Sequence, residues 1–339
     1  MADENGSDRV HAALPMSRRS FALAATLLAG SGFRAAAQGA DPKFIDPRPP
    51  TVDTSNLEEI AEGVWVVRDH RIWLVPNIGI ILGNDAALIV DCGLGPANGE
   101  RVLDLARRIA GTRRLFLTVT HFHPEHGYGA QVFRPEATIV YNQAQRDELQ
   151  EKGARYNDLF RKTQTPAAAA ALYGTKIVMP HFTYDGPRAE LDLGGRRVSF
   201  HTWGTAHTRG DQVVFLPKER ILFAGDLIEE RMFPIFPWFP PQDHEIDGAR
   251  WVEILNGFRL FDPTRVVPGH GDIGDIQIAL NLASHIETVG REVRRRRQDG
   301  QTVDQIIAEY KPNIIAAYPG WEHSDLINWE IGYFAAQSA

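Results

Sequence analysis

Apolar residues recur along the chain with two periods, which predict alternating strands and helices. Short apolar runs predict strands at 63–67, 78–82, 87–90, 115–119, 138–141, 191–193, 197–202, 212–216 and 221–224. Helical spacing predicts helices at 99–110, 129–133, 248–261, 275–298, 303–310 and 324–336, and a helical insertion within 143–175. These elements form two similar blocks, 58–175 and 176–300, without a proline- or glycine-rich linker between them. Because each block must cover its apolar faces, the pattern predicts two packed sheets with helices outside, in one domain.

Histidine and carboxylate side chains cluster directly after one of the predicted strands. His121, His123 and His126 follow the apolar run 115–119 within a few positions, together with Glu125. So many imidazole and carboxylate groups are costly to hold together unless a cation unites them. This donor set suits zinc, with iron or manganese as alternatives. A single histidine would be interpreted as structural, but three at i, i+2 and i+5 predict a metal site.

Three further predicted strands end beside a glycine and a single His or Asp, which are His207, Asp226 and His270. Strand ends deliver side chains to a common edge, so these residues are expected to lie near the first cluster. Asp91 closes strand 87–90 before a glycine, where it either orients a ligand histidine or forms the turn. Histidines outside these motifs, such as His285 and His323, are expected to be structural or surface residues.

Taken in this order, the motifs resemble those of the metallo-β-lactamase superfamily of zinc hydrolases, across residues 91–271. The resemblance implies an αββα sandwich, in which two mixed sheets pack face to face with helices outside and a two-zinc site lies at one edge. It implies His121, His123 and His207 as ligands of a first metal, Glu125, His126 and His270 as ligands of a second, Asp226 as their bridge and Asp91 as a supporting residue. Of these, Asp226, His121 and His123 would be central to catalysis.

The chain departs from the family at Glu125, where the family usually has aspartate. The extra methylene moves the carboxylate by about a bond length, whereas metal–ligand distances tolerate errors of only about 0.2 Å. Two outcomes stay open. Either the backbone shifts to keep Glu125 as a ligand, or Glu125 turns away and leaves the second site weaker or differently loaded.

The resemblance also implies a reaction, in which a water activated at the binuclear zinc site cleaves an ester, lactone or thioester bond. Asp226 favours this class, because β-lactamases of the family usually carry Cys or Ser at that position. Hydrolysis of β-lactams is one alternative. Oxidation of persulfides at a single non-haem iron is another, should Glu125 impair the second site.

Two segments are candidates for the wall of a substrate pocket. The predicted pocket residues are His70 and Trp73 in loop 68–73, and Phe233, Phe236 and Trp238 in the proline-rich segment 232–241. The loop either folds over a substrate or is an ordinary connection. The proline-rich segment either forms an apolar wall, or caps the core or contacts a second subunit. A wall would imply a small-molecule substrate with a hydrophobic part.

Charge and the N-terminal residues limit the partners and the location. The net charge of -7 argues against nucleic-acid binding, and the single cysteine, Cys92, excludes an intrachain disulfide. Residues 1–37 resemble a twin-arginine export signal, with paired arginines before an apolar stretch that ends in three alanines. The predictions are export by the twin-arginine machinery, cleavage, and a periplasmic or secreted protein without stable membrane insertion. An extended segment at 38–57 would precede a hydrolase domain at 58–339 with a C-terminal helical extension.

Overall fold

A computed structural model describes residues 46, 48–237, 239 and 245–337. The predicted export signal at 1–37 lies outside these residues, and so does most of the chain before residue 48. None of the helices in the described part of the chain is both long and apolar enough to span a bilayer.

The first sheet has seven strands in sequence order. They are β1 (Leu57–Ala61), β2 (Val64–Val67), β3 (Ile78–Leu82), β4 (Ala86–Val90), β5 (Arg114–Thr118), β6 (Ala137–Asn142) and β7 (Phe182–Tyr184). Strands β1 to β4 pair antiparallel, whereas β4 to β7 pair parallel. The carboxyl ends of β4 and β5 therefore meet at the same edge of this sheet.

The second sheet has five strands in the order β12-β11-β10-β9-β8. Their bounds are β8 (Arg188–Asp192), β9 (Arg197–His201), β10 (Val213–Leu216), β11 (Ile221–Glu229) and β12 (Arg265–His270). The neighbours pair antiparallel except β11 and β12, which are parallel. Both sheets are therefore mixed.

Helices connect the strands from β4 to β7, join β11 to β12, and follow β12. They are α1 (Gly95–Ala110), α2 (Pro124–Gly127), α3 (Ala130–Phe133), α4 (Gln143–Thr163), α5 (Pro166–Ala171), α6 (Gly248–Gly257) with a 3-10 turn at Phe258–Phe261, α7 (Ile276–Gln298), α8 (Val303–Ala317) and α9 (Ile327–Ala336). The last three follow β12, the last strand of the second sheet.

The two sheets pack face to face through one apolar layer. Val66 and Leu88 of the first sheet share a buried cluster with Val214 and Phe223 of the second. A methyl group on Gly79 of β3 would collide with the Phe223 ring, so the sheets approach closely at this point. The helices bury their apolar faces in a second cluster outside the sheets. This confirms the predicted sandwich.

The structure adds elements that periodicity did not predict. β1 begins at Leu57, inside the segment expected to be extended, and only Ile60 of its five residues is buried. β11 runs to Glu229, beyond the predicted end at 224. α8 continues through Pro312, although proline usually ends a helix. These misses lie at sheet edges or element ends, where local signals are weakest.

Candidate metal centre

The predicted metal-binding residues lie at one edge of the sandwich, where strands of both sheets end. Asp91 follows β4 and His121 lies just beyond β5 in the first sheet. Asp226 lies on β11 and His270 ends β12 in the second. The parallel pairs β4–β5 and β11–β12 therefore present their polar residues to the same edge.

Seven side chains form two groups that share one carboxylate. The first group is His121, His123, His207 and Asp226, and the second is Glu125, His126, Asp226 and His270. Within each group the candidate ligand atoms lie within 4.8 Å of one another. His270 is partly exposed and the other six are buried. The structure thus brings together all seven residues singled out in the sequence, with Glu125 in the second group.

Asp226 faces the two groups with different oxygen atoms. Its Oδ2 lies 3.7 Å from Nε2 of His121 in the first group. Its Oδ1 lies 3.2 Å from Nε2 of His126 and 3.7 Å from Nε2 of His270 in the second. Burial raises the pKa of Asp226, but His126 and His270 outweigh it and hold that pKa well below its usual range. The shared carboxylate is therefore ionised.

Asp91 orients His126 from behind. Its Oδ2 accepts a hydrogen bond from Nδ1 of His126 at 2.9 Å, and its Oδ1 accepts one from the backbone N–H of Thr120 at 2.7 Å. A carboxylate at Nδ1 fixes the proton there and leaves Nε2 available to a metal. Asp91 adopts a left-handed backbone with φ of 69°, a strain of about 1–3 kcal/mol in a residue other than glycine. This geometry favours the orienting role over simple turn formation.

Asp91→Asn is expected to lower metal affinity or activity by about 10–100-fold. The amide oxygen would take the place of Oδ1 facing Thr120, so the amide N–H would point at Nδ1 of His126. Nδ1 would then have to accept, which moves the imidazole proton onto Nε2. Metal titration of the purified variant measures the loss. Unchanged affinity would contradict the orienting role.

The donor set fits metal ions because buried donor atoms have no other partner. Nε2 of His121, Oε2 of Glu125 and Oδ2 of Asp226 make no hydrogen bond within the described part of the chain. Burial and the neighbouring imidazoles lower the pKa of His121 well below its usual range, which keeps the neutral form that binds metals. Burial raises the pKa of Glu125 to about 7, the mark of a carboxyl group without a compensating cation.

Gly269 leaves the space that the Asp226 carboxylate occupies, because a Cβ at this position would collide with Oδ1 of Asp226. Gly269→Ala is therefore expected to displace Asp226, lower the metal content and cost about 1–3 kcal/mol of unfolding free energy. Gly257→Ala is the matched control, since a Cβ there meets no atom within 4 Å. Urea unfolding and elemental analysis compare the two. Equal behaviour would show that Gly269 does not constrain Asp226.

The helical insertion lies beside the first ligand group. The Tyr156 ring of α4 stacks on His123 with centroids 5.5 Å apart and meets Phe239 edge-on at 5.2 Å. Both Tyr156 and His123 are buried. The insertion therefore shields the first group from solvent, a placement that helical periodicity alone did not fix.

Glu229 is a buried carboxyl group that the sequence reasoning missed. Burial and the nearby Asp226 raise its pKa well above the usual range, and its Oε2 accepts a hydrogen bond from the backbone N–H of Ile235 at 3.2 Å. Glu229 thereby ties the proline-rich segment to the strand that carries Asp226. A carboxylate closing an apolar run was the signal that marked Asp91, and the same signal applied to 221–228 would have found Glu229.

The predicted pocket residues separate in the structure. Trp73 lines a recess beside His270, together with Met232 and His323. His70 is exposed and is not among the described residues that line this recess. The loop 68–73 therefore approaches the site through Trp73.

Phe233 and Phe236 are core residues rather than pocket walls. Phe233 packs against His285 and Trp321, and Phe236 packs against Trp251. Both phenylalanines are at most 1% exposed. The structure thus favours the capping alternative for this part of the segment, because its rings fill the space between β11 and the C-terminal helices. Trp238 lies outside the described residues.

Comparison with known proteins places this geometry in a family. The sequence profile of the Metallo-beta-lactamase superfamily matches residues 71–270. The chain is 24% identical over 224 residues to "Acyl-coenzyme A thioesterase MBLAC2" of Gallus gallus, which covers 62% of this chain and 77% of that protein. It is 26% identical over 208 residues to "Metallo-beta-lactamase type 2" of Bacteroides fragilis, with 60% and 73% covered.

Solved structures share the fold. The DIM-1 metallo-beta-lactamase superposes with a TM-score of 0.54 at 21% identity, covering 71% of this chain and 99% of that one. A metallo-beta-lactamase from Pontibacter korlensis gives 0.52 at 18% identity, with 68% and 98% covered. With more than half of its length matched by the family profile, and with the sandwich and the His/Asp cluster in place, this chain belongs to the metallo-beta-lactamase superfamily, as a metal-dependent hydrolase of that fold.

Proposed function

We propose that this protein is a binuclear zinc hydrolase that cleaves an ester, lactone or thioester bond in a small molecule. The observation that carries the proposal is the placement of Asp226. Its Oδ2 faces His121 of the first ligand group at 3.7 Å, and its Oδ1 faces His126 of the second at 3.2 Å. A carboxylate shared in this way supports two ions side by side more than a single ion.

Divalent ions held in such a centre activate a water molecule and polarise the bond to be cleaved. The chain supplies the positioning. Asp91 holds the proton of His126 on Nδ1, and Tyr156 excludes solvent from one face of His123. Asp226 is an ionised acceptor between the two groups, suited to orient a water molecule by accepting a hydrogen bond from it.

A covalent route through Cys92 is disfavoured. Burial raises the pKa of the thiol well above its usual range, so the reactive thiolate is not populated at neutral pH. The thiol donates a hydrogen bond to the backbone carbonyl of His126 at 3.3 Å. Cys92 therefore packs behind the centre, which supports direct attack by water.

Persulfide oxidation at a single iron is the alternative from another reaction class. It would require Glu125 to leave the second ligand group. Instead, Glu125 is buried there with a carboxylate oxygen within 4.8 Å of the candidate donor atoms of His126, Asp226 and His270. This placement supports two metals. Relatives named as a thioesterase and as a β-lactamase match at similar identity, so their names do not indicate which bond this protein cleaves.

Elemental analysis of the purified protein, combined with a substrate panel, tests the proposal. We expect about two zinc ions per chain and turnover of esters, lactones or thioesters, but not of β-lactams such as nitrocefin. His123→Ala should lose turnover, because His123 belongs to the first ligand group. One iron per chain without zinc, with oxygen consumed in the presence of a persulfide, would overturn the proposal.

A further inference from the structure

A recess opens beside His270, the partly exposed member of the second ligand group. Its floor and walls come from the loop after β2 and from the segment after β11, which supply Trp73 and Met232. A third part of the wall is His323, from the C-terminal extension. A substrate group that projects from the reacting bond past His270 would enter this recess.

The C-terminal segment is fixed against the site by backbone hydrogen bonds. The N–H of Glu322 donates to the carbonyl of Arg231 at 2.9 Å, and the N–H of Phe233 donates to the carbonyl of Glu322 at 3.1 Å. These bonds bring the His323 ring to 4.3 Å from the centroid of Trp73. Residues 322 and 323 lie outside the range 71–270 matched by the family profile, whereas Trp73 lies inside it.

The wall formed by Trp73 and His323 is uncharged. Burial lowers the pKa of the His323 imidazole, which therefore stays neutral at neutral pH. His323 also adopts a left-handed backbone with φ of 60°, a strained conformation for a residue with a side chain. The ring is held beside Trp73 in spite of this strain, as is often seen at binding sites.

Arg71, the cationic side chain among the described residues that line the recess, is already paired with several carboxylates, and in this sense it is saturated. The Arg71 guanidinium lies 2.5 Å from Glu230, 3.1 Å from Asp272 and 3.3 Å from Glu322. Asp69 also lines the recess, where its Oδ2 accepts the backbone N–H of Gly271 at 2.7 Å. Among the described lining residues, carboxylates therefore outnumber cations, and an incoming anion would have to displace a salt bridge.

Cations on the other side of the metal centre are paired as well. Lys152, whose charge acts on His123, lies 2.9 Å from Glu148 and 2.7 Å from Glu245. Arg209, two positions after His207, pairs with Glu151 at 2.8 Å. The described cationic side chains around both ligand groups thus have carboxylate partners, so these side chains add no uncommitted positive charge to that of the metal ions that the proposed function places at the reacting bond.

We propose that the recess formed by Trp73, His323 and the saturated Arg71 selects substrates whose groups flanking the scissile bond are uncharged. The inference rests on the proposed hydrolase function and narrows its substrate class. Neutral esters, lactones and simple thioesters carry no charge that the carboxylates of the recess would repel. Acyl groups ending in a carboxylate, and phosphate-bearing leaving groups such as coenzyme A, bring a negative charge towards the carboxylates of the recess and are disfavoured.

Two matched substrate pairs test this selection with the metal-loaded protein. The acyl pair is 4-nitrophenyl butyrate and 4-nitrophenyl hemisuccinate, which differ by a carboxylate. The leaving-group pair is the butyryl thioesters of N-acetylcysteamine and coenzyme A, which share the same bond and acyl group. In each pair, kcat/KM is expected to favour the neutral member by about tenfold or more. Equal or better turnover of the anionic member in either pair would overturn the selection.

A charge variant tests whether the preference for neutral substrates arises from this recess. Glu322→Gln removes one carboxylate from Arg71 and should reduce the neutral-to-anionic ratio by about three- to tenfold. Glu100→Gln on the exposed side of α1 makes the same change in net charge and should leave the ratio unaltered. If neither variant shifts the ratio, or if both shift it equally, the recess is not the source of the preference.

A wall variant provides a second measurement. His323→Gly removes the ring at a backbone conformation that glycine adopts without strain. Since His323 would contact the flanking group and not the reacting bond, KM for neutral substrates should rise while kcat changes little. An unchanged KM would contradict the contact. Failure of the wild-type protein to hydrolyse any substrate would instead contradict the hydrolase function, so the two failures are distinguishable.

Discussion

Replacing Asp226 with asparagine is expected to reduce hydrolysis by about 10²–10³-fold and to lower the metal content from the proposed two ions per chain towards one. The substitution keeps the shape of the side chain but removes its negative charge and one of its acceptor oxygens. Because Oδ1 and Oδ2 face different ligand groups, the loss weakens one group whichever way the amide turns. Single-turnover kinetics and elemental analysis of the same preparation measure both effects.

Asp104→Asn is the matched control for this experiment, since Asp104 is exposed on α1, away from the ligand groups. It makes the same chemical change and should leave turnover and metal content unaltered. Loss of activity in Asp226→Asn with both ions retained would contradict the role of Asp226 as a shared ligand. Retention of activity within tenfold of wild type would contradict its role in the reaction.

The metal centre was predictable because its signals are short-range. His121, His123, Glu125 and His126 lie within six positions after one strand, and helical or strand periodicity need not be exact to place them together. Asp226 follows an apolar run that was long enough to be recognised as a strand, and His270 follows the shorter apolar pair Val266 and Val267. A strand end next to a glycine restricts where the next polar side chain lies. The order of these motifs along the chain therefore predicted the fold as well.

The recess was not predictable, because it depends on contacts between distant parts of the chain. Trp73 and His323 meet only after the C-terminal segment pairs with Arg231 and Phe233. No local pattern at His323 distinguishes it from a surface histidine. Aromatic residues in the proline-rich segment were equally ambiguous, since a pocket wall and a core cap have the same composition. Phe236 is placed by its packing on Trp251, which the sequence does not encode locally.

Glu125 shows how the fold accommodates a departure from the family pattern. The side chain is buried, its Oε2 has no hydrogen-bond partner in the described part of the chain, and it lies in the second ligand group. α2 begins at Pro124, so Glu125 lies in the first turn of a short helix immediately after His123. The longer carboxylate therefore keeps its place among the ligands, and the cost of its burial falls on the metal-free protein.

In metal-free protein, Glu125→Gln is expected to remove a pH-dependent loss of stability. Burial raises the pKa of Glu125 from 4.5 to about 7, so the folded carboxyl group holds its proton more tightly than the unfolded one. Its contribution to stability is complete below pH 4.5 and is lost as the pH rises through about 7. At about 1.4 kcal/mol per pKa unit, the loss amounts to about 3 kcal/mol. Glutamine does not titrate, so the variant does not undergo this pH-dependent loss of stability.

Urea unfolding of both proteins at pH 5, 6, 7 and 8 with a chelator measures this difference. The titrating histidines are common to wild type and variant, so they largely cancel in the comparison. With zinc present the sign should reverse, because the variant loses a charged ligand and the stabilisation that metal binding gives the native state. Glutamine would then stabilise the metal-free form at pH 8 and destabilise the metal-bound form. Equal destabilisation of both forms would mean that Glu125 serves packing alone and that no cation compensates its charge.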